Sequence, residues 1–258
     1  MAIVSLIGAG PGDPELMTRK AWRILGEADV VLHDALMDVE GMKGAGPQAR
    51  WISVGKRAGQ PAPEHVFICK TMVAYARRGL RVVRLKGGDP SLFGRVTEEL
   101  DACREAGLEV EVVPGVTSAC AAAADLQAGL TMRGVARSVV FVTPRLGRSE
   151  HEPSDDHWLK AALAADTAVL YMAGKRADAV CRKLMEAGKH PLTPICVVEN
   201  AGGTGLRLQS TLSELARHGL PALQGPVSLL LGDALSVARH TQSYLEMEAE
   251  ENVQSRCL

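Results

Sequence analysis

Two glycine-rich segments of this 258-residue chain have residue types that often bind small ligands. The first, GAGPGDP, begins at Gly8, and the second, LKGGDP, begins at Leu85; each follows a short run of β-favouring residues. Glycines between a strand and a helix let the backbone approach a ligand closely. A single turn of this kind is weak evidence, because a tight structural connection uses the same residues. Two alike, both at carboxyl ends of predicted strands, favour a shared ligand site.

The first loop differs from a dinucleotide-binding turn in ways that indicate the charge of its ligand. Asp13 stands where the third glycine of that motif is expected, and Pro11 removes a backbone N–H that would donate to a pyrophosphate. Asp13 is also the expected N-cap of the next helix, with Pro14 first and Glu15 in its first turn. Because negative charge at a helix start repels phosphate, the loop predicts a neutral or cationic ligand.

A third segment, VVPGVTSACAAAA, places two hydroxyl side chains at the start of an alanine-rich helix. Thr117 and Ser118 could cap this helix, which is the commoner use of such residues, or they could contact a ligand. The small residues that follow would also let a ligand come close to the backbone.

Strand patterns alternate with helix patterns, which predicts an α/β fold of two domains with a cleft between them, and a mainly parallel first sheet. We place the boundary near Pro114, giving domains of residues 1–114 and 115–242 and a tail of residues 243–258. The predicted strands are residues 3–7, 30–32, 51–54, 82–85, 109–113, 138–143, 168–172, 194–199, 206–209 and 227–231. The predicted helices are residues 14–25, 66–78, 95–106, 158–164 and 177–186.

Composition excludes several classes of function. A net charge of −1 does not favour nucleic acid or a membrane surface as a partner. The six cysteines lie far apart, without ligand spacing, so we predict buried thiols in a reducing compartment and no metal site. The start of the chain has no signal-like segment, and no run of 18 uncharged apolar residues occurs, so we expect a cytoplasmic protein.

The motifs together are specific for one family. GAGPGDPELMT, RLKGGDPSLFGR, PGVTSA, the YM of VLYMAG and VEN follow one another in this order, and the chain resembles the tetrapyrrole methyltransferases over about residues 3–231. The resemblance implies a homodimer of two-domain α/β subunits that binds S-adenosylmethionine. It also implies methylation of uroporphyrinogen III at C2 and C7 to give precorrin-2, for sirohaem or cobalamin. A methyl donor that is a sulfonium cation without phosphate suits the acidic first loop.

The resemblance implies a set of donor contacts and a set of residues for the tetrapyrrole. The donor contacts are Pro11, Gly87, Gly88, Asp89, Leu92, Thr117, Ser118, Met172 and Ala201. Asp89 could accept a hydrogen bond from a ribose hydroxyl, or could cap a helix before Pro90. Arg95 and Arg133 would bind carboxylates of the ring, and Glu98 would fix Arg95 or contact a pyrrole N–H.

Proton transfer is the remaining implied role. Asp34 is the implied proton acceptor, for which it would need desolvation, and Lys56 the implied donor, although Arg95 is also a candidate for the proton-transfer step.

Departures from the family pattern leave alternatives open. The segment after Arg95 is Val96–Thr97 where two glycines are common, and His65 and Cys69 stand where Gln and Asn are common. The acceptor could therefore be a later corrinoid precursor, or the chain could bind the donor without turnover. Pro11 and Asp13 argue against a fourth alternative, a dehydrogenase that binds NAD.

Overall fold

A computed structural model describes residues 4–34, 39–55, 65–144 and 156–244, together with Glu246. The chain divides into two compact units, Met1–Ser118 and Ala119–Leu258. Lys56 and nearly all of the predicted tail lie outside the described residues. Within the described residues, no helix is long and apolar enough to cross a membrane.

The N-terminal unit contains one sheet whose five strands are all parallel, in the order β3-β2-β4-β1-β5. The strands are β1 (Val4–Gly8), β2 (Val30–His33), β3 (Arg50–Ser53), β4 (Val82–Lys86) and β5 (Val110–Val113). The helices are α1 (Arg19–Gly26), α2 (Val39–Lys43), α3 (His65–Ala76), α4 (Val96–Glu105) and α5 (Ser118–Asp125), the last of which crosses into the second unit. The mainly parallel first sheet was predicted correctly from the alternation of strand and helix patterns.

Helices cover both faces of this sheet. The three central strands are buried at every position, as expected when both faces of a parallel sheet are covered. One face packs against α1 and α2 and the other against α3 and α4. Because side chains alternate along a strand, Arg84 and Lys86 share the face of Val82, which α3 and α4 cover, so two charged groups are buried there.

The predicted single helix over residues 14–25 is wrong. A short 3-10 helix, Pro14–Leu16, comes first, and α1 starts only at Arg19. Met17 is extended, with φ −73° and ψ 144°, and Thr18 caps α1 by accepting from Ala21 N. Thr18, a second N-cap inside the predicted range, therefore separates the 3-10 helix from α1.

The C-terminal unit has a mixed sheet in the order β6-β7-β10-β8-β9. Its strands are β6 (Val139–Val142), β7 (Thr167–Tyr171), β8 (Pro194–Glu199), β9 (Arg207–Thr211) and β10 (Val227–Leu231). Its helices are α6 (His157–Ala164), α7 (Ala177–Glu186) and α8 (Leu212–His218), and all three pack in one apolar core. Only β6 and β7 are parallel, whereas β10 runs antiparallel to β7 and β8, and β9 runs antiparallel to β8.

Candidate functional site

The three glycine segments of the N-terminal unit meet in direct backbone contact at the carboxyl ends of β1, β4 and β5. A Cβ added to Gly8 would lie 2.6 Å from both Gly115 N and Gly88 O, and one added to Gly115 would lie 2.3 Å from Gly88 O. No larger side chain fits at either position without moving backbone. Glycine is therefore required here by close packing, and the prediction that the loops share one side of the sheet is confirmed.

Backbone hydrogen bonds fix the first two loops to each other. Gly88 N donates to Gly10 O at 2.6 Å, Gly10 N donates to Gly88 O at 3.3 Å, and Ala9 N donates to Lys86 O at 2.7 Å. Gly10 and Gly88 have φ of 75° and 66°, the left-handed region that glycine adopts without strain. At the neighbouring Gly87, an added Cβ would meet nothing within 4 Å, so a ligand can reach the backbone there.

Asp89 joins the second loop to the third. Its Oδ1 accepts from Ser91 N at 2.8 Å and from the Ser91 hydroxyl, and its Oδ2 accepts from Gly115 N at 2.9 Å. Burial acts to raise the pKa of Asp89, but the hydrogen bonds from Ser91 and Gly115 outweigh it, so the pKa lies below its usual value. The predicted cap before Pro90 is a turn, since no helix begins there. Asp13, in the equivalent place of the first loop, accepts from Glu15 N and caps its 3-10 helix, as predicted.

The other predicted donor contacts of this unit lie on or beside these loops. Pro11 and Leu92 are partly buried, as are Thr117 and Ser118, the latter being the first residue of α5.

The α5 helix ends at a carboxylate that holds the loop of Ala201. Asp125 Oδ2 accepts from Gly202 N at 2.9 Å and from Arg207 Nη2 at 2.6 Å. Arg207 also donates to Gly203 O at 2.7 Å, while Ala201 itself is buried. The conformation of this predicted donor loop is therefore held by the ion pair of Asp125 with the partly buried Arg207, within the C-terminal unit.

Met172 borders a cavity of about 770 Å³ in the C-terminal unit. Its side chain is 75% exposed, and the rest of the lining includes Gly174, Lys175 and residues 219–227, with the sequence GLPALQGPV. Sequence reasoning missed the 219–227 segment. Its signal was a run with two glycines and two prolines between a helix and a strand, which resembles an ordinary connection.

Unusual backbone conformations gather in these predicted segments. Six non-glycine residues among those described have positive φ. Four of them lie in or next to the predicted site motifs: Phe93, Arg95, Met172 and Asn200. Such conformations cost about 1 to 3 kcal/mol each and cluster at functional sites, which supports these segments as functional.

Arg95 and Glu98 form an exposed ion pair at the start of α4. Arg95 caps the helix in the left-handed region, with φ 55°, and donates from Nε to Glu98 Oε1 at 2.8 Å and from Nη2 to Oε2 at 2.5 Å. The hydrogen bonds from Arg95 lower the pKa of Glu98, and partial desolvation opposes them. The predicted contact between the two side chains is therefore present.

Asp34 lies at the end of a buried charge network. Arg84 donates from Nη2 to Asp34 Oδ1 at 2.5 Å and from Nε to Glu99 Oε1 at 3.0 Å. Lys86 Nζ lies 2.9 Å and 2.8 Å from the two oxygens of Glu99. Burial lowers the pKa of Lys86, while the charge of Glu99 acts to raise it. The Asp34 side chain is 36% exposed and paired, which differs from the desolvated setting that its predicted role required.

Arg133 is not part of this network among the described contacts. Arg133 belongs to the C-terminal unit and is exposed in a tight turn closed by hydrogen bonds between Met132 and Ala136. Lys56 lies outside the described residues. Among the residues described, no three histidine, cysteine or acidic side chains are grouped as a metal ion would require.

Comparison with known proteins identifies the family. A model of the tetrapyrrole (corrin/porphyrin) methylases matches residues 4–216. The chain belongs to this family. A tetrapyrrole methylase of Pseudomonas aeruginosa named uroporphyrinogen-III C-methyltransferase is 40% identical over 232 residues, which cover 89% of this chain and 93% of that protein.

Two further tetrapyrrole methylases extend the comparison. A siroheme synthase of Psychromonas ingrahamii is 39% identical over 91% of this chain, yet the chain spans only 49% of that protein. A crystal structure of uroporphyrin-III C-methyl transferase from Thermus thermophilus, complexed with S-adenyl homocysteine, superposes with a TM-score of 0.76 at 36% identity. The match covers 91% of this chain and 93% of that structure. The α/β fold with two sheets is thus the fold of tetrapyrrole methylases.

Proposed function

We propose that this chain is an S-adenosylmethionine-dependent methyltransferase that methylates uroporphyrinogen III at C2 and C7 to give precorrin-2. The observation that carries the proposal is the backbone contact of three glycine loops through Gly8, Gly88 and Gly115. A relative of nearly equal length named uroporphyrinogen-III C-methyltransferase, and a crystal structure of a uroporphyrin-III C-methyl transferase matched over 93% of its length, support the choice of substrate. A role in making sirohaem agrees with the half-length match to a siroheme synthase.

The residues of the loops fit a methyl donor that is cationic and lacks phosphate. Pro11 provides no N–H, the first helical turn is acidic, and the open face of Gly87 lets an adenosine approach the backbone. Asp89 keeps lone pairs beyond its three hydrogen bonds and would accept from a ribose hydroxyl. The other proposed donor contacts are Gly88, Leu92, Thr117, Ser118, Met172 and Ala201.

The acceptor is proposed to bind through its carboxylates. Arg95 and Arg133 would bind them, because a guanidinium pairs with a carboxylate through two hydrogen bonds, and Glu98 would hold Arg95 in place. S-adenosylmethionine supplies an electrophilic methyl group for the nucleophilic carbon of the macrocycle. Asp34, held by Arg84, would accept the proton that the methylated carbon loses, and Lys56 would donate a proton. We also propose that the protein acts in the cytoplasm as a homodimer.

The test is an anaerobic assay of the purified chain with S-adenosylmethionine and uroporphyrinogen III. We expect the absorbance of precorrin-2 and two methyl groups transferred per tetrapyrrole. Arg95→Ala should abolish turnover and leave the donor Kd unchanged, because the Arg95 side chain is largely exposed and pairs with Glu98. Arg104→Ala is the matched control, since Arg104 pairs with Asp101 on the same helix with the same spacing.

The outcomes separate the alternatives. Donor binding without turnover on uroporphyrinogen III would contradict the proposal and favour a later corrinoid precursor as acceptor, or a binding subunit. A large loss of donor affinity in Arg95→Ala would show that the division between donor and acceptor residues is wrong.

A further inference from the structure

A histidine that the proposed mechanism does not use lies between the carboxylates of α4. His65, the first residue of α3, has only 10% of its side chain exposed. Its Nδ1 lies 3.0 Å from Glu98 Oε2, and its Nε2 lies 3.5 Å from Glu99 Oε1. Among the described residues Nε2 has no hydrogen-bond partner, so the second nitrogen faces a buried carboxylate without a formed bond.

This histidine connects two groups that are otherwise separate. On one side, Glu98 carries the fork of hydrogen bonds to Arg95. On the other, Glu99 is fully buried and pairs with Arg84, which holds Asp34. The proposed proton acceptor and the proposed carboxylate anchor are thus the two ends of one chain of polar contacts, and His65 is its central link.

Two carboxylates and a thiol contact His65 within the described residues. Glu98 and Glu99 face it from α4, and Cys69 on α3 has its Sγ 3.6 Å from Nδ1. Glu98 also pairs with Arg95, and Glu99 with Arg84 and Lys86 of β4. Burial raises the pKa of Cys69, and the charges of Glu99 and Glu98 raise it further, so this neighbour remains an uncharged thiol. A cavity of about 580 Å³ lined by α3 and α4 borders His65 and Glu98.

We propose that His65 is a positioning residue, which fixes Glu98 and thereby aims Arg95 at the carboxylates of the acceptor. Among the described residues, the Glu98 carboxylate contacts Arg95 and His65, and the contact with His65 ties it to the buried part of the unit. The imidazole Nδ1 donates to Glu98 when it carries the proton, so the Glu98 carboxylate is held between His65 and Arg95.

The inference rests on the proposed function, and the test compares three variants of the full chain. His65→Leu removes both donors, His65→Gln retains a neutral donor, and Lys70→Gln is the control, because Lys70 is exposed on the same helix. For His65→Leu we expect the KM for the tetrapyrrole to rise roughly threefold to tenfold, as for loss of one partly exposed charge-assisted hydrogen bond, with the donor Kd unchanged. His65→Gln should restore most of the affinity.

The split between KM and kcat, together with rescue by His65→Gln, distinguishes positioning from a merely structural role. In His65→Leu the KM for the tetrapyrrole should rise while kcat changes little, and Lys70→Gln should leave both unchanged. Equal KM values in all variants, or a His65→Gln variant as impaired as His65→Leu, would overturn the inference. If the unmodified chain does not turn over uroporphyrinogen III, the proposed function is contradicted and the inference on His65 is not. In that case the Kd of the tetrapyrrole for the same variants tests the role of His65.

Discussion

The substitution Asp89→Asn tests most directly whether Asp89 joins the second glycine loop to the third. The carboxylate accepts three hydrogen bonds, two from Ser91 and one from Gly115 N, and each of its two oxygens takes part. An asparagine amide has one oxygen and one NH2 group, so one side must present a donor to a donor. Whichever way the amide turns, the link within the second loop or the link to the third loop is lost.

The expected cost follows from those bonds. Hydrogen bonds to a charged acceptor contribute about 1.5 to 3 kcal/mol each, and Asp89 is only partly buried, so we expect Asp89→Asn to lower the free energy of unfolding by about 2 kcal/mol. The measurement is urea denaturation at pH 7, with the donor Kd from calorimetry. Donor affinity should fall at least tenfold, because the second and third loops would no longer be held together.

The pH dependence has a definite sign. Since the pKa of Asp89 is lowered in the folded chain, its stabilisation is complete above the pKa of the unfolded chain and is lost as the pH falls through the folded value. The stability difference between Asp89→Asn and the unmodified chain should therefore shrink in acid. Asp13→Asn is the control, because Asp13 is a simple cap and asparagine caps equally well. If Asp89→Asn were as stable as Asp13→Asn at pH 7, the argument that Asp89 joins the loops would be refuted.

Two further predictions concern the C-terminal unit. Met172→Gly should stabilise the unit by about 0.5 to 1 kcal/mol in thermal unfolding, because glycine adopts the φ of 57° at this position without backbone strain. The same substitution should weaken donor binding. A loss of stability would contradict the presence of backbone strain at Met172. Arg207→Met should cost about 3 kcal/mol in urea denaturation, because Asp125 would be left without its guanidinium and the loop of Ala201 without its anchor. Unchanged stability and unchanged donor affinity in Arg207→Met would refute the anchoring.

The strands were well predicted because their signal is local. Runs such as Val227–Leu231 are rich in apolar residues and follow glycine or proline, and the structure moves most strand ends by one or two residues at most. The helix over residues 14–25 was wrong because Asp13 and Thr18 each cap a separate helix, and the prediction took only Asp13 as an N-cap. The predicted boundary near Pro114 stays a prediction.

Contacts between neighbours in sequence could be predicted at this site, whereas contacts that depend on tertiary packing could not. The pair of Arg95 with Glu98 was predictable, because three residues apart on a helix are neighbours. The contact of His65 with the same glutamate joins residues 33 positions apart, through two helices that must first pack on one face of a sheet. Only the register of β4, which turns Arg84 and Lys86 toward those helices, explains why a buried Glu99 is needed there.

The two Gly-Asp-Pro segments show how one motif acquires two functions. Both aspartates accept from the backbone two residues ahead, which is the local property that the sequence encodes. Only Asp89 also reaches Gly115 N, because β5 lies beside β1 and brings the third loop within hydrogen-bond distance. Among the described contacts, Asp13 has no such bond to the third loop. Its negative charge lies at the start of the 3-10 helix that it caps. The second loop therefore determines the shape of the proposed donor site, whereas the first contributes its electrostatic preference for a cation.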